Sequence, residues 1–288
     1  MLKKMRWSGL LSLLSLLSWP AFPSAAEPQT GCGQTWNRVW TEAWSGDWGF
    51  SRIEGGELTA PPGDFAELSA ASVIALVGLA FEARIAAGPG VLVICRGGDC
   101  RAAEVLPVAA QHGCRSIISF GVAGGLAPDL VPGDCVVAST IIDYPIVRAT
   151  DPMWSGQLLE LIPEARHGPV VGVNSVVSNP ADKQKLHDLT GAVAVDMESH
   201  LVARLAASHG LSFASVRVVI DPADRVVPPA ALVAMAPRGG TDVASLLWEI
   251  LARPSQVAAL VRIAADAYAA RAALLRLRRV LGPDFRCG

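Results

Sequence analysis

Three acids stand at or just past the ends of apolar runs that read as buried strands. Asp196 and Glu198, with Met197 between them, close the apolar run "GAVAVDM", and Asp221 closes "VRVVI" 23 residues after Glu198. Burying a charge is expensive, so an acid at such a junction either caps the next helix or faces a cleft. Asp196 reads as a cap or loop anchor. Glu198 falls in the first turn of the following helix, near the positive end of its dipole, and is equally able to accept hydrogen bonds from a diol. For Asp221 a helix N-cap and a general acid of raised pKa both remain open.

A glycine-rich turn precedes them. "FGVAGGLAPDLVPGD" (Phe120–Asp134) runs a strand into a turn, and Gly121, Gly124 and Gly125 remove side chains where a ligand or another backbone approaches. A tight turn explains the glycines as well as a ligand does. The spacing fits neither a dinucleotide fingerprint nor a P-loop. The lone histidines His112, His167, His187, His200 and His209 show no ligand pairing, and His200 is expected at a surface position of a helix in preference to a pocket wall.

The elements that must hold these residues alternate from Ala66 onward. Apolar strands ending in glycine are expected at Ser72–Gly78, Gly90–Gly98 and Arg115–Gly125, with further strands at Asp134–Thr140, Gly168–Val177, Gly191–Met197 and Leu211–Arg225. Helical spacing falls at 101–112, 180–189, 197–209, 241–252 and 255–281. Continuous apolar strands between helices predict an α/β fold with a mixed, mainly parallel sheet covered on both faces, a three-layer α/β/α arrangement. In such sheets ligands sit at the carboxyl ends of strands, where the glycines and acids collect.

Bulk composition narrows the function. The chain has 288 residues, 51% of them hydrophobic, enough for one large core. A formal charge of −2 argues against a general nucleic-acid binder. Cys32, Cys95, Cys100, Cys114, Cys135 and Cys287 lack metal-ligand or CxxC spacing and read as reduced core thiols, with no metal expected.

Taken in order, "GVAGGL", "GVNSVV", "AVDMES" and "VRVVIDPADR" resemble the nucleoside phosphorylase/nucleosidase superfamily over residues 72–225. The likeness is to the branch of methylthioadenosine/S-adenosylhomocysteine nucleosidases. It implies a nucleoside phosphorylase-like fold, no cofactor, and a homo-oligomer. It implies that Glu198 holds the ribose hydroxyls, Met197 packs on the sugar, and Asp221 protonates adenine at N7. Val176 and Val177 would stack and contact the base, and Ala123, Gly124 and Gly125 would line the substrate. Glu82, in "GLAFEARI", lies one residue from the register of the family's water-positioning glutamate. Only about 14 residues separate Glu82 from Gly97, so a hairpin is missing. Where the phosphorylases place an arginine before the glycine turn this chain has Ser119, which favours water over phosphate, although Arg84 or Arg96 offers an anion site and phosphate stays open as a co-substrate.

Both ends of the chain differ from this core. Residues 1–30 carry a basic start, an apolar run from Leu10 to Phe22 and small residues at Ser24 and Ala26, a secretory-signal pattern. Residues 31–66 are rich in Trp and Gly without periodicity, an exported extension or sequence upstream of the true start. The domain is expected over 67–252, followed at 253–288 by a basic helix. Its expected apolar stripe is Val257, Leu260, Val261, Ala264, Ala267, Tyr268, Leu274, Leu275 and Leu281, with six arginines against Asp266 between Arg253 and Leu281. That helix either packs on the core with an arginine-rich solvent face or lies on anionic lipid. Together with "DPADRVVPPAAL" and "RPSQVAALVR", it resembles the hopanoid-associated branch of the superfamily. That resemblance implies cleavage of the adenine–ribose bond of adenosylhopane, in the cytoplasm at the inner membrane, while the signal-like segment keeps export open. The alternatives are a nucleosidase for soluble methylthioadenosine or S-adenosylhomocysteine, a purine nucleoside phosphorylase, and a non-catalytic nucleoside-binding module.

Overall fold

The computed structural model describes residues 71–95, 111, 113–227 and 257–287. The expectations for residues 1–66, for the 241–252 helix and for most of 101–112 lie outside these residues.

Strand β1 (Val73–Val77) is buried at every position, as a central parallel strand must be. Its side chains alternate. Val73, Ala75 and Val77 join one core cluster, Ile74 and Leu76 the other. Helix α1 (Ala80–Ala86) follows, then β2 (Val91–Cys95), β3 (Ser116–Gly125), β4 (Cys135–Asp143) and β5 (Ile146–Ala149). Helix α2 (Pro152–Leu161), β6 (Arg166–Gly172), α3 (Pro180–Thr190), β7 (Ala194–Asp196), α4 (Ser199–His209), β8 (Ser212–Asp221) and α5 (Val257–Leu281) complete the order.

The sheet runs β2-β1-β3-β7-β6-β4-β5, and β8 pairs both β3 and β4. Strands β3, β7, β6, β4 and β8 therefore close a ring. Pairings β1–β2, β1–β3, β3–β8, β4–β6 and β6–β7 are parallel, while β3–β7, β4–β5 and β4–β8 are antiparallel. The expected mixed, mainly parallel sheet is present. Helices α1, α2 and α5 cover one face through Ala83, Ile85, Trp154, Leu158, Ala270 and Leu274, and α4 covers the other through Val202, Ala203 and Ala206. This is the three-layer order expected.

Several elements differ from the sequence reading. The strand expected over Gly168–Val177 stops at Gly172. Val173 still donates to the Asp196 carbonyl at 2.9 Å, but Asn174, Ser175 and Val176 then turn outward. The short α1, the β4–β5 hairpin and α2 were not signalled by periodicity. In α5 the buried face is Ala270, Ala273, Leu274, Leu277 and Leu281, whereas Val261 and Tyr268 of the expected stripe are 44% and 63% exposed. The helix is locked inward. Trp154 Nε1 donates to the Phe285 carbonyl at 2.9 Å, Arg278 Nε donates to the Ala86 carbonyl at 2.9 Å, and Phe285 meets Phe120 edge-on at 5.2 Å.

Candidate active site

Strand β3 is the axis of the site. Its residues pair with β8 in parallel, Gly121 opposite Arg217, and after a bulge between Ala123 and Gly124 the register brings Gly124 opposite Asp221. On the other edge Gly124 pairs with Val195 of β7. A Cβ on Gly124 would lie 3.2 Å from Val195 Cγ1 and 3.3 Å from Asp221 Oδ2, closer than side chains ordinarily pack. Glycine here lets both acid-bearing strand ends close on β3. Gly125 is similarly confined, by Val219 and Pro222. The Ala123 side chain is buried in the core on the α4 side, which leaves its backbone for any ligand.

One half of the site is a buried ionic cluster. Glu82, on α1, is 1% exposed. Its Oε2 accepts from the backbone N–H of Gly78 (2.9 Å) and Leu79 (2.8 Å), and its Oε1 from that of Val122 (2.7 Å). Burial nevertheless pushes its pKa from 4.5 to about 7, opposed by Arg217 and those N–H groups and reinforced by Glu198. Arg217 is fully buried. Its Nε pairs with Asp196 Oδ2 at 2.6 Å, its Nη1 stands 3.7 Å from Glu198 Oε2, and its Nη2 donates to the Ser119 and Ser199 hydroxyls. Glu198 lies over Gly78, where a Cβ would come within 2.7 Å of Oε1.

Asp196 and Glu198 have different surroundings. Asp196 is buried, accepts from the Ser199 N–H at 3.1 Å and from its hydroxyl, and so caps α4 while neutralising Arg217. Glu198 occupies the cap position itself but makes no side-chain cap bond, and its side chain is 15% exposed. Met197 between them is half-buried. His200 is a correction. It is 1% exposed rather than on the surface, with Nε2 at 3.2 Å from Asn174 Oδ1, because α4 starts directly at a buried strand end and its first turn packs under β6.

The other half centres on Asp221. Residues 222–227 directly after it are not helical, so it is not a helix N-cap; it is held by Lys183 of α3, whose Nζ lies 2.5 Å from Oδ2. Burial raises the Asp221 pKa above the usual carboxylate range, with Lys183 opposing. Val176 and Val177 sit on the loop between β6 and α3. Val176 is 44% exposed, and Val177 packs partly against Leu126, Ile142, Val171 and Val195. The loop is tied to the turn after Asp221 through the Val227 N–H and Ser178 carbonyl (2.8 Å). Arg84 is exposed on α1, and Arg96 lies outside the described residues. Among the described residues no group of His, Cys, Asp and Glu is arranged to hold a metal.

Two residues of the site escaped the sequence reading. Arg217 left a signal, a charge inside an otherwise apolar strand that can be buried only if paired. Lys183 left none, since "NPADKQKL" reads as a solvated helix start.

Comparison with known proteins bears on the family of the chain. Residues 78–252, more than half of the chain, match the model of the Phosphorylase superfamily. A 5'-methylthioadenosine/S-adenosylhomocysteine nucleosidase of Mycobacterium bovis is 24% identical over an alignment covering 40% of this chain and 62% of that protein. The chain thus spans 62% of the length of the curated relatives it matches. Among solved structures, a mutant of the Helicobacter pylori nucleosidase with 5'-methylthioadenosine in its active site aligns at 16% identity and TM-score 0.48, over 64% of this chain and 99% of that one. The futalosine hydrolase of Helicobacter pylori aligns at 17% identity and TM-score 0.47, over 64% and 98%.

Proposed function

The chain belongs to the Phosphorylase superfamily, and from that premise we propose that it cleaves the N-ribosidic bond of an adenosine-type nucleoside and releases adenine. The observation that carries this is the pairing of two acidic centres across the β3 glycines: Glu82 and Glu198 around Arg217 on one side, Asp221 on the other. Bond breaking of this kind develops positive charge on the sugar and negative charge on the leaving base. Carboxylates stabilise the first and a protonated acid discharges the second.

The roles follow. Asp221, whose pKa burial raises, donates its proton toward N7 of the leaving base. Glu198 accepts from the ribose diol, Met197 packs against the sugar, and the Val176–Val177 loop with the backbone of Ala123, Gly124 and Gly125 receives the base. Glu82, titrating near 7, takes a proton from the attacking water. Water is favoured over phosphate on electrostatic grounds. Among the described residues the cation of the cluster is Arg217, which already faces Asp196 and Glu198, so little positive field remains there for a phosphate dianion.

The finer part of the proposal is the substrate. Adenosylhopane, taken in the cytoplasm at the inner membrane surface, is supported by the motif resemblance and by the arginine-bearing outer face of α5. The test is mass spectrometry of adenosylhopane, methylthioadenosine and S-adenosylhomocysteine incubated with the protein, with and without phosphate. Adenine from adenosylhopane without phosphate is expected. A phosphate requirement rejects hydrolysis, turnover of methylthioadenosine alone rejects the lipid substrate, and no adenine from any nucleoside leaves a binding module.

A further inference from the structure

Lys183 is the least expected group in the molecule. It is a lysine on the first turns of a polar helix, yet it is fully buried, and lysine is almost never buried without a partner. Its Nζ contacts four oxygens on one segment: Asp221 Oδ2 at 2.5 Å and the carbonyls of Asp221 (3.3 Å), Pro222 (2.7 Å) and Arg225 (3.5 Å). An ammonium has three protons to donate, and all of them are directed at the strand end that carries Asp221. Helix α3 is placed for this by its own caps. The Asn179 side chain accepts from the Asp182 N–H at 2.8 Å, and Pro180 opens the helix.

We propose that Lys183 is a positioning residue for Asp221, holding the turn from Asp221 to Arg225 and one carboxylate oxygen so that the carboxyl stays set against the β3 glycine turn where the base is received. The inference rests on the role given to Asp221 above. Geometry alone defines the clamp: Oδ2 is taken by Nζ, and the whole carboxyl is set against the β3 turn, with Oδ2 3.3 Å and Oδ1 3.5 Å from the point a Gly124 Cβ would occupy. A second consequence is electrostatic. The charged groups that bear on Asp221 are Lys183 from α3, Arg225 from the turn after β8, and Asp266 from α5, which itself pairs with Arg225 at 2.8 Å. The β3 residue set against it, Gly124, is uncharged. Lys183 is therefore the main cation restraining the upward pull of burial on Asp221.

The sign of the effect is set. If Asp221 acts protonated, activity falls as pH rises through its pKa. Removing the lysine charge leaves burial less opposed, so that falling limb moves to higher pH while the maximal rate drops because the carboxyl is no longer held. Two measurements test this on the full-length protein. The first is the pH profile of kcat for Lys183→Met and Lys183→Arg against wild type. The second is 13C NMR titration of the Asp221 carboxyl in the same variants, assigned by its loss in Asp221→Asn. In Lys183→Met we expect kcat to drop by at least about tenfold with KM little changed, and the limb and NMR midpoint to rise by about one unit or more, a tenfold shift in the proton equilibrium. Lys183→Arg, which keeps the charge without the same reach, should keep the limb within about half a unit of wild type and still lose rate.

A folded Lys183→Met whose midpoint and limb stay at the wild-type pH overturns the proposal and leaves a purely structural lysine. Should Lys183→Met not fold, Lys183→Arg alone decides, since unchanged kcat there also overturns it. If wild type releases no adenine, the functional proposal fails, while the NMR midpoint still reports on the lysine.

Discussion

Glu82 couples the chemistry of the site to the stability of the fold. Its carboxyl is buried, and its pKa of about 7 lies above the 4.5 of an ordinary glutamate. The folded state therefore keeps a proton that the unfolded chain releases, and its contribution to stability is present below pH 4.5 and lost as pH rises through 7. At about 1.4 kcal/mol per pH unit that window corresponds to roughly 3 kcal/mol. Urea unfolding at pH 5 and pH 8 should show wild type losing stability relative to Glu82→Gln by an amount of that order. Equal pH dependence in the two proteins removes Glu82 as a titrating group. The roles proposed for Asp221 and Glu198 separate by kinetics. Asp221→Asn should lower kcat by about 10²–10⁴ with unchanged circular dichroism. Glu198→Gln should act mainly on KM, because a charge-assisted hydrogen bond to the diol is worth about 1.5–3 kcal/mol, roughly 10- to 100-fold. A Glu198→Gln variant that loses kcat at unchanged KM would place Glu198 in the chemical step instead.

Element β3 shows how the acids are brought together. Gly121 pairs with Arg217 and lies against Glu82, so a Cβ there would strike the Glu82 carboxylate and come within 2.9 Å of Arg217 Nη1. Gly121→Ala should thus cost about 1–3 kcal/mol in a thermal or urea unfolding experiment, as overpacking does, and displace Glu82. Full stability and full activity together would show that the cluster tolerates the methyl. The same strand explains what was legible in the sequence. Apolar runs ending at Gly125, Asp196 and Asp221 marked the strands and their carboxyl ends, because burial on both faces forces a readable pattern. The off-register transfer of Glu82 still located a buried acid. By contrast, the ring closure by β8, the burial of His200 and the clamp by Lys183 depend on which strands meet, and no local period encodes that. Short elements such as α1 and β5 are too brief for periodicity to declare itself, with seven and four residues.

On the scale of the whole molecule, α5 has two faces of different character. The inner one carries Ala270, Ala273, Leu274, Leu277 and Leu281 into the main core, and Arg278 is used there, against the Ala86 carbonyl and 4.4 Å above the Phe285 ring. The outer one exposes Arg271, Arg276 and Arg279 beside Val261 and Tyr268. No described helix is long and apolar enough to cross a membrane, so an interaction with lipid through α5 is a surface one. Each arginine near an anionic surface contributes about 1 kcal/mol, so three supply on the order of 3 kcal/mol, or roughly 100-fold in partitioning. Sedimentation with phosphatidylserine-containing vesicles should show binding that weakens as salt shortens the screening length. Exchanging Arg271, Arg276 and Arg279 together for Gln should abolish that binding. Stability and turnover of a soluble nucleoside should hold, since none of the three side chains enters the core or the site. Arg278→Gln is the control with the opposite pattern, losing stability while vesicle binding by the folded fraction persists. Equal sedimentation of wild type with neutral and anionic vesicles would leave the arginine face as solvent-facing surface and remove the membrane from the proposed reaction.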